Sequence, residues 1–108
     1  MSTSNPSPPY YAVIFTTIRT EGDNGYAEMA EKMEELAAQQ PGYIGIESAR
    51  NETTRIGITV SYWKDLESIR NWKMNVEHLL AQKLGKEKWY AKYRLRICEV
   101  EKEYGSGT

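Results

Sequence analysis

The chain is poor in the residues from which most metal and nucleophile sites are built: it has one cysteine, one histidine and one phenylalanine in 108 residues. A solitary Cys98 makes no internal disulfide and cannot supply a thiolate cluster, so no metal centre is predicted. A glycine-rich phosphate loop is missing too, and no bound cofactor is predicted. No apolar run approaches the roughly 20 residues that span a bilayer. Residues 1–9 are rich in Ser, Thr, Asn and Pro rather than apolar, unlike a secretory leader. The expectation is a cytoplasmic protein with no membrane partner. Charge of one sign is also lacking. With 14 basic against 15 acidic residues and a net charge of −1, a generic nucleic-acid binder is excluded, since such proteins displace counterions with a basic surface.

What is present is periodicity. After a loose tail at 1–9, residues 10–105 read as one domain. Residues 10–19 (YYAVIFTTIR) are β-branched and aromatic in both alternating sets, which suits a strand covered on both faces. A turn at 21–25 offers Asp23 or Asn24 as a cap, and Tyr26, Met29, Ala30, Met33, Leu36 and Ala37 make the apolar stripe of a helix that Pro41-Gly42 ends. Residues 43–50 form a second strand and 51–54 a hairpin connection. Residues 55–63 alternate most cleanly, with Ile56, Ile58, Val60 and Tyr62 on one face and Arg55, Gly57, Thr59, Ser61 and Trp63 on the other. Asp65 caps a second helix with a stripe of Leu66, Ile69, Trp72, Val76, Leu79, Leu80 and Leu84. Asn75 is a place where it can break, and Gly85 closes it. Residues 92–103 make the last strand, with Leu95 and Ile97 opposed to Arg94, Arg96 and Cys98.

The order βαββαβ is the ferredoxin-like, α+β arrangement, with both helices on one face of a four-stranded antiparallel sheet. The other face, to which this reading assigns Arg55, Thr59, Ser61, Arg94 and Arg96, needs a cover. A second copy of the chain, giving a homodimer, or a small-molecule ligand would serve. Single-stranded RNA is a poor fit, because Gly57 and Thr59 stand where a stacking platform needs aromatic rings.

The stretches YYAVIFTTIRTEGDNGY, PGYIGIES, SYWKDLESIRNWKMNVEHLLAQ and YRLRICEVEKEYG together resemble the antibiotic-biosynthesis monooxygenase family, from about residue 10 to residue 105. The resemblance implies a dimeric α+β barrel and, from its characterised members, cofactor-independent oxygenation of small aromatic or quinol-type compounds. A non-catalytic dimeric ligand-binding or structural domain is the alternative. Haem degradation is a further one with an incomplete motif: Trp72 matches, but the first strand has Thr16 and Thr17 rather than asparagine, and the ungapped ligand position falls on Gln82.

The resemblance implies a pocket role for Trp72, a residue that the helix stripe alone would place in the core. His78 lies in line with Asn71, Asn75 and Gln82 if the helix is continuous. If Asn75 starts a new segment, His78 sits in its first turn, where backbone N–H groups favour a neutral, proton-accepting imidazole. His78 and Trp72 are the catalytic candidates. Arg94, Arg96, Thr59 and Asn71 are the substrate-binding ones, the arginines being suited to a phenolate, a carboxylate or an intersubunit carboxylate.

Overall fold

Apolar residues at both alternating sets put residues 10–19 inside the sheet, and they form β1 (Tyr10–Arg19) between two neighbours. The computed structural model describes residues 7–21, 26–82 and 90–107, with side chains left undescribed at 26, 29, 76–82 and 90. After β1 come α1 (Tyr26–Ala38), β2 (Tyr43–Arg50), β3 (Ile56–Trp63), α2 (Leu66–Gln82) and β4 (Tyr90–Val100). All four strands join one antiparallel sheet in the order β2-β3-β1-β4. This is the ferredoxin-like topology that the sequence pattern predicts.

Local chemistry explains the joints. α1 stops at Ala38, where the Gln39 and Gln40 N–H groups turn back to the Leu36 and Ala37 carbonyls, and Gly42 then takes a φ of 84°. In the β2–β3 hairpin, the Asn51 Oδ1 accepts from the N–H groups of Thr53 and Thr54 at 2.9 and 3.0 Å. At the start of α2, the Asp65 Oδ1 accepts from the Ser68 N–H at 2.8 Å and from the Ser68 hydroxyl at 2.7 Å. The cap occupies an otherwise orphaned first-turn donor. Those bonds hold the Asp65 carboxyl below its ordinary pKa.

Several expectations change. α2 runs unbroken through Asn75, whose side-chain amide donates to the Gln40 Oε1 at 3.3 Å and ties α2 to the turn that follows α1. Mid-helix asparagine is tolerated because its side chain is exposed and bonds outward rather than to its own backbone. Arg55 belongs to the turn, not to β3: it has a left-handed φ of 63°, and its guanidinium Nε donates to the Arg19 carbonyl at 3.1 Å. β4 begins at Tyr90 and ends at Val100. In β2 the register shifts between Tyr43 and Gly45, so Tyr43 sits opposite Trp63 while Gly45 sits opposite Tyr62. The caps assigned to Asp23 or Asn24, the stripe residue Leu84 and the stop at Gly85 lie outside the described residues, as do residues 1–6 of the tail.

The ladder also fixes which side chains share a face, because directly opposed residues project to the same side. Val13 is opposite Ser61 and Ile97, Phe15 opposite Thr59 and Leu95, and Thr17 opposite Gly57 and Tyr93. This set faces the helices: Val13 packs with Ala37, Ile69 and Trp63 in the buried core. Ile14 is opposite Val60 and Arg96, and Thr16 opposite Ile58 and Arg94, on the face with no helices. β3 is therefore turned over relative to the usual rule. Its small and hydroxylated residues point at the helices, while Ile56 and Ile58 point away from them and are 40% and 43% exposed. Thr59 and Ser61, expected on the open face, lie on the covered one.

The open face ends in two tyrosine–carboxylate pairs. The Tyr10 hydroxyl donates to Glu103, and the Tyr62 hydroxyl donates to the Glu47 Oε2 at 2.6 Å, the two rings meeting edge to face at 6.0 Å. Donating to a carboxylate favours the neutral phenol, and burial with the nearby negative charges adds to it, so both are pushed up to about 12. A group whose pKa rises on folding contributes stability below its unfolded value, near 10, and that contribution is lost as the pH climbs through 12. Absorbance titration at 295 nm is expected to find Tyr10 and Tyr62 ionising near pH 12. Glu47→Ala should bring Tyr62 back towards 10; a Tyr62 titration unmoved by that change would contradict the pairing.

Candidate active site

Turning β3 over leaves a hollow where a core would otherwise be. Gly57, Thr59 and Ser61 present little bulk towards the helices, and α1 answers with Ala27, Ala30 and Ala37. Small residues on both sides leave a cavity of about 490 Å³ between the helices and the sheet. Val13, Phe15, Ile69, Met33 and Trp72 supply its apolar surface. The exposed Glu31, Glu34, Arg50 and Lys73 stand at its rim.

Trp72 is at once a packing residue and a wall of the cavity. It is half-buried, packs against the core and stacks on Trp63 with ring centroids 6.1 Å apart at 25°, and it also lines the cavity. Among the described residues Trp63 is the most enclosed large side chain, fully buried, with Tyr43 edge-on to it at 5.7 Å. Burial, and then the charge of Glu34, push the Tyr43 phenol up.

The sheet wall is polar. Ser61 and Thr17 are 7% and 4% exposed. The Trp63 Nε1–H donates to the Ser61 Oγ at 2.9 Å. Gly57 lies beside Thr17, so that a Cβ there would come within 3.2 Å of the Thr17 Oγ1. With Thr59 between them, these hydroxyls cross the two central strands on the cavity side. A surface of this kind can hold a flat, mostly apolar ring and hydrogen-bond an oxygen on it.

Of the predicted site residues, Trp72 and Thr59 are brought together here. Arg94 and Arg96 are on the opposite face of the sheet, because their register with Thr16 and Ile14 points them away from the helices. There they meet no carboxylate among the described residues. Asn71 is exposed on α2. The side chain of His78 lies outside the described residues. α2 is continuous from Leu66 to Gln82, so His78 is not in a first turn. Sequence reasoning missed Ser61, Thr17 and Gly57 as cavity residues. The signal was there in phase: Gly57, Thr59 and Ser61 share the side of Trp63, the large ring at the end of the same strand.

Residues 9–84 match the antibiotic biosynthesis monooxygenase family, and the chain belongs to that family. Among curated relatives, it is 47% identical over 98 residues to the uncharacterized protein YqjZ of Bacillus subtilis (strain 168), covering 91% of this chain and 85% of that one. Among solved structures, the fold is shared with a single-residue mutant of SnoaB, a cofactor-independent oxygenase from Streptomyces nogalater. That match has a TM-score of 0.72 at 10% identity, over 92% of this chain and all of SnoaB. It is shared likewise with PA3566 of Pseudomonas aeruginosa, with a TM-score of 0.66 at 14% identity, over 93% of this chain and all of that one. Among the described residues, no group of three or more His, Cys, Asp or Glu is placed to hold a metal ion, and no helix is long and apolar enough to cross a membrane.

Proposed function

We propose that the protein is an oxygenase that works without a bound cofactor on a small planar aromatic or quinol-type compound held between the helices and the sheet. The observation that carries this reading is the cavity itself, with apolar walls around Trp72 and a row of hydroxyls on the sheet. The reaction asks little more of a protein. A substrate with an acidic C–H or O–H loses its proton, and the electron-rich anion reduces dioxygen. One oxygen atom stays on carbon and the other leaves as water. Trp72 positions the ring, Thr59 and its neighbours donate hydrogen bonds to the oxyanion, and the apolar walls keep water out.

Anthrone tests it. Its CH₂ is oxidised to the second carbonyl of anthraquinone at the cost of one O₂, releasing one water. Oxygen uptake above the spontaneous rate is expected. Trp72→Ala should lower it by roughly 100-fold, the scale of a misplaced reactant. Uptake equal to the protein-free rate contradicts the oxygenase reading, and anthrone bound without uptake favours a non-catalytic carrier.

The open face supports a second proposal, that two copies pair through it. Among the described residues only Tyr10, Ala12, Val13, Ala37, Trp63 and Ile69 form the buried apolar set. A chain of this length gains most from burying further surface. Ile14, Ile56, Ile58 and Val60 supply an apolar centre on the far side. Arg94 and Arg96 share that face with Glu47 and Glu103, so a two-fold related copy can offer each charge its opposite.

A further inference from the structure

We infer that Ser61 is the specificity-determining hydrogen-bond donor of the cavity, selecting planar ligands that carry a carbonyl or phenolate oxygen. This deepens the reading of the cavity as the substrate site and rests on it. The argument starts from Trp63. An indole N–H can only donate, and that of Trp63, in a fully buried side chain, donates to the Ser61 Oγ at 2.9 Å. A hydroxyl that accepts this bond keeps a lone pair and its own hydrogen. β3 is an inner strand whose backbone carbonyls are engaged by β1 and β2. No acceptor among the described residues takes the Ser61 hydrogen.

The hydroxyl is therefore held by an immobile partner, lines the cavity, and has a donor left over in a side chain only 7% exposed. A donor left bare against an apolar ligand costs more than a bond made returns, so the site discriminates chiefly by what it rejects. Thr17 repeats the pattern one strand away, 4% exposed with no hydrogen-bond partner for its hydroxyl among the described residues. Gly57 beside it keeps that stretch of wall free of bulk. Ser61 differs in being oriented, because the Trp63 bond restricts its rotor. It is a positioning group for the substrate's oxygen, and the proton chemistry does not pass through it.

The test uses 9-fluorenone and fluorene, flat tricyclic molecules that differ at one carbon, the first bearing a carbonyl and the second a CH₂. Equilibrium dialysis against the full-length protein gives both dissociation constants. Water-to-apolar transfer alone favours fluorene. The donor is expected to offset this, so that wild type binds fluorenone at least as tightly. Ser61→Ala should lower the fluorenone-to-fluorene affinity ratio by roughly fivefold to tenfold, the scale of one neutral hydrogen bond. Most of that change should come from tighter binding of fluorene, which no longer leaves a donor bare, a gain that loss of structure would not produce. Ser61→Thr, which keeps the hydroxyl, should keep the ratio. A ratio unmoved in folded Ser61→Ala overturns the role of Ser61 while leaving the cavity as a ligand site. Should Ser61→Ala fail to fold, a severalfold wild-type preference for fluorene overturns it equally. Binding of neither compound overturns both this inference and the proposed function.

Discussion

Ile58→Glu is expected to turn a dimeric protein into a folded monomer. Wild type should sediment at micromolar concentration with twice the 12.4 kDa mass of the chain, and the variant with that mass alone. Ile58 sits opposite Thr16 and Ala49 on the side of the sheet away from the helices. It is 43% exposed within one copy, so a glutamate there costs the monomer little. In a face-to-face pair the same carboxylate would be taken out of water near the apolar centre. The penalty for an uncompensated charge is several kcal/mol, and every 1.4 kcal/mol is about tenfold in a dissociation constant. Far-ultraviolet circular dichroism should be unchanged, which separates loss of pairing from loss of fold. A wild-type monomer at that concentration, or a variant that still pairs, contradicts the proposed use of the open face.

Gly42→Ala is expected to lower the melting temperature by about 12–24 °C. Gly42 has a φ of 84°, where a side chain costs about 1–2 kcal/mol through the clash of its Cβ with the backbone. Its new methyl would also run into the Ser68 hydroxyl and come within 2.7 Å of the Ser68 Cβ. Ser68 cannot swing aside, because it is buried and both its N–H and its hydroxyl are bound to Asp65. The Gly42 carbonyl also accepts from the Lys64 N–H at 2.8 Å, so β2 and the start of α2 are joined at this point. Relieving the overlap means parting them, for a total of about 3 kcal/mol, and each kcal/mol moves the midpoint by roughly 4–8 °C in a domain of this size. Gly57→Ala is the contrast. Its φ is ordinary and its only tight neighbour is the Thr17 hydroxyl at 3.2 Å, so its effect should fall on the cavity rather than on the melting temperature. Equal shifts for the two would contradict this account of Gly42.

The elements and their order were legible from the periods alone, since an alternating run such as 56–63 fits nothing but a strand and the stripe of α1 nothing but a helix. The side to which β3 presents its isoleucines was not. Alternation divides a strand into two sets without saying which one meets the helices. The usual rule, apolar residues inward, assigns Ile56, Ile58 and Val60 to the helices, where the ladder puts Gly57, Thr59 and Ser61. A cavity violates that rule by nature, because it replaces core side chains with space. This is the physical reason why Ser61 and Thr59 were read as open-face residues and why Arg94 and Arg96 were grouped with them. Asn75 misled in the other direction: a residue that caps helices when it bonds its own backbone here bonds Gln40 instead.

The central claim is that the space between α1, α2 and the sheet is a site for a flat oxygen-bearing ring. A crystal structure of the protein with bound 9-fluorenone tests it most directly. The account predicts the ring inside the cavity against Trp72, with its carbonyl oxygen within hydrogen-bond distance of the Ser61 Oγ. A cavity closed by inward movement of the helices, or a ligand lying only on the Ile58 face, would contradict it.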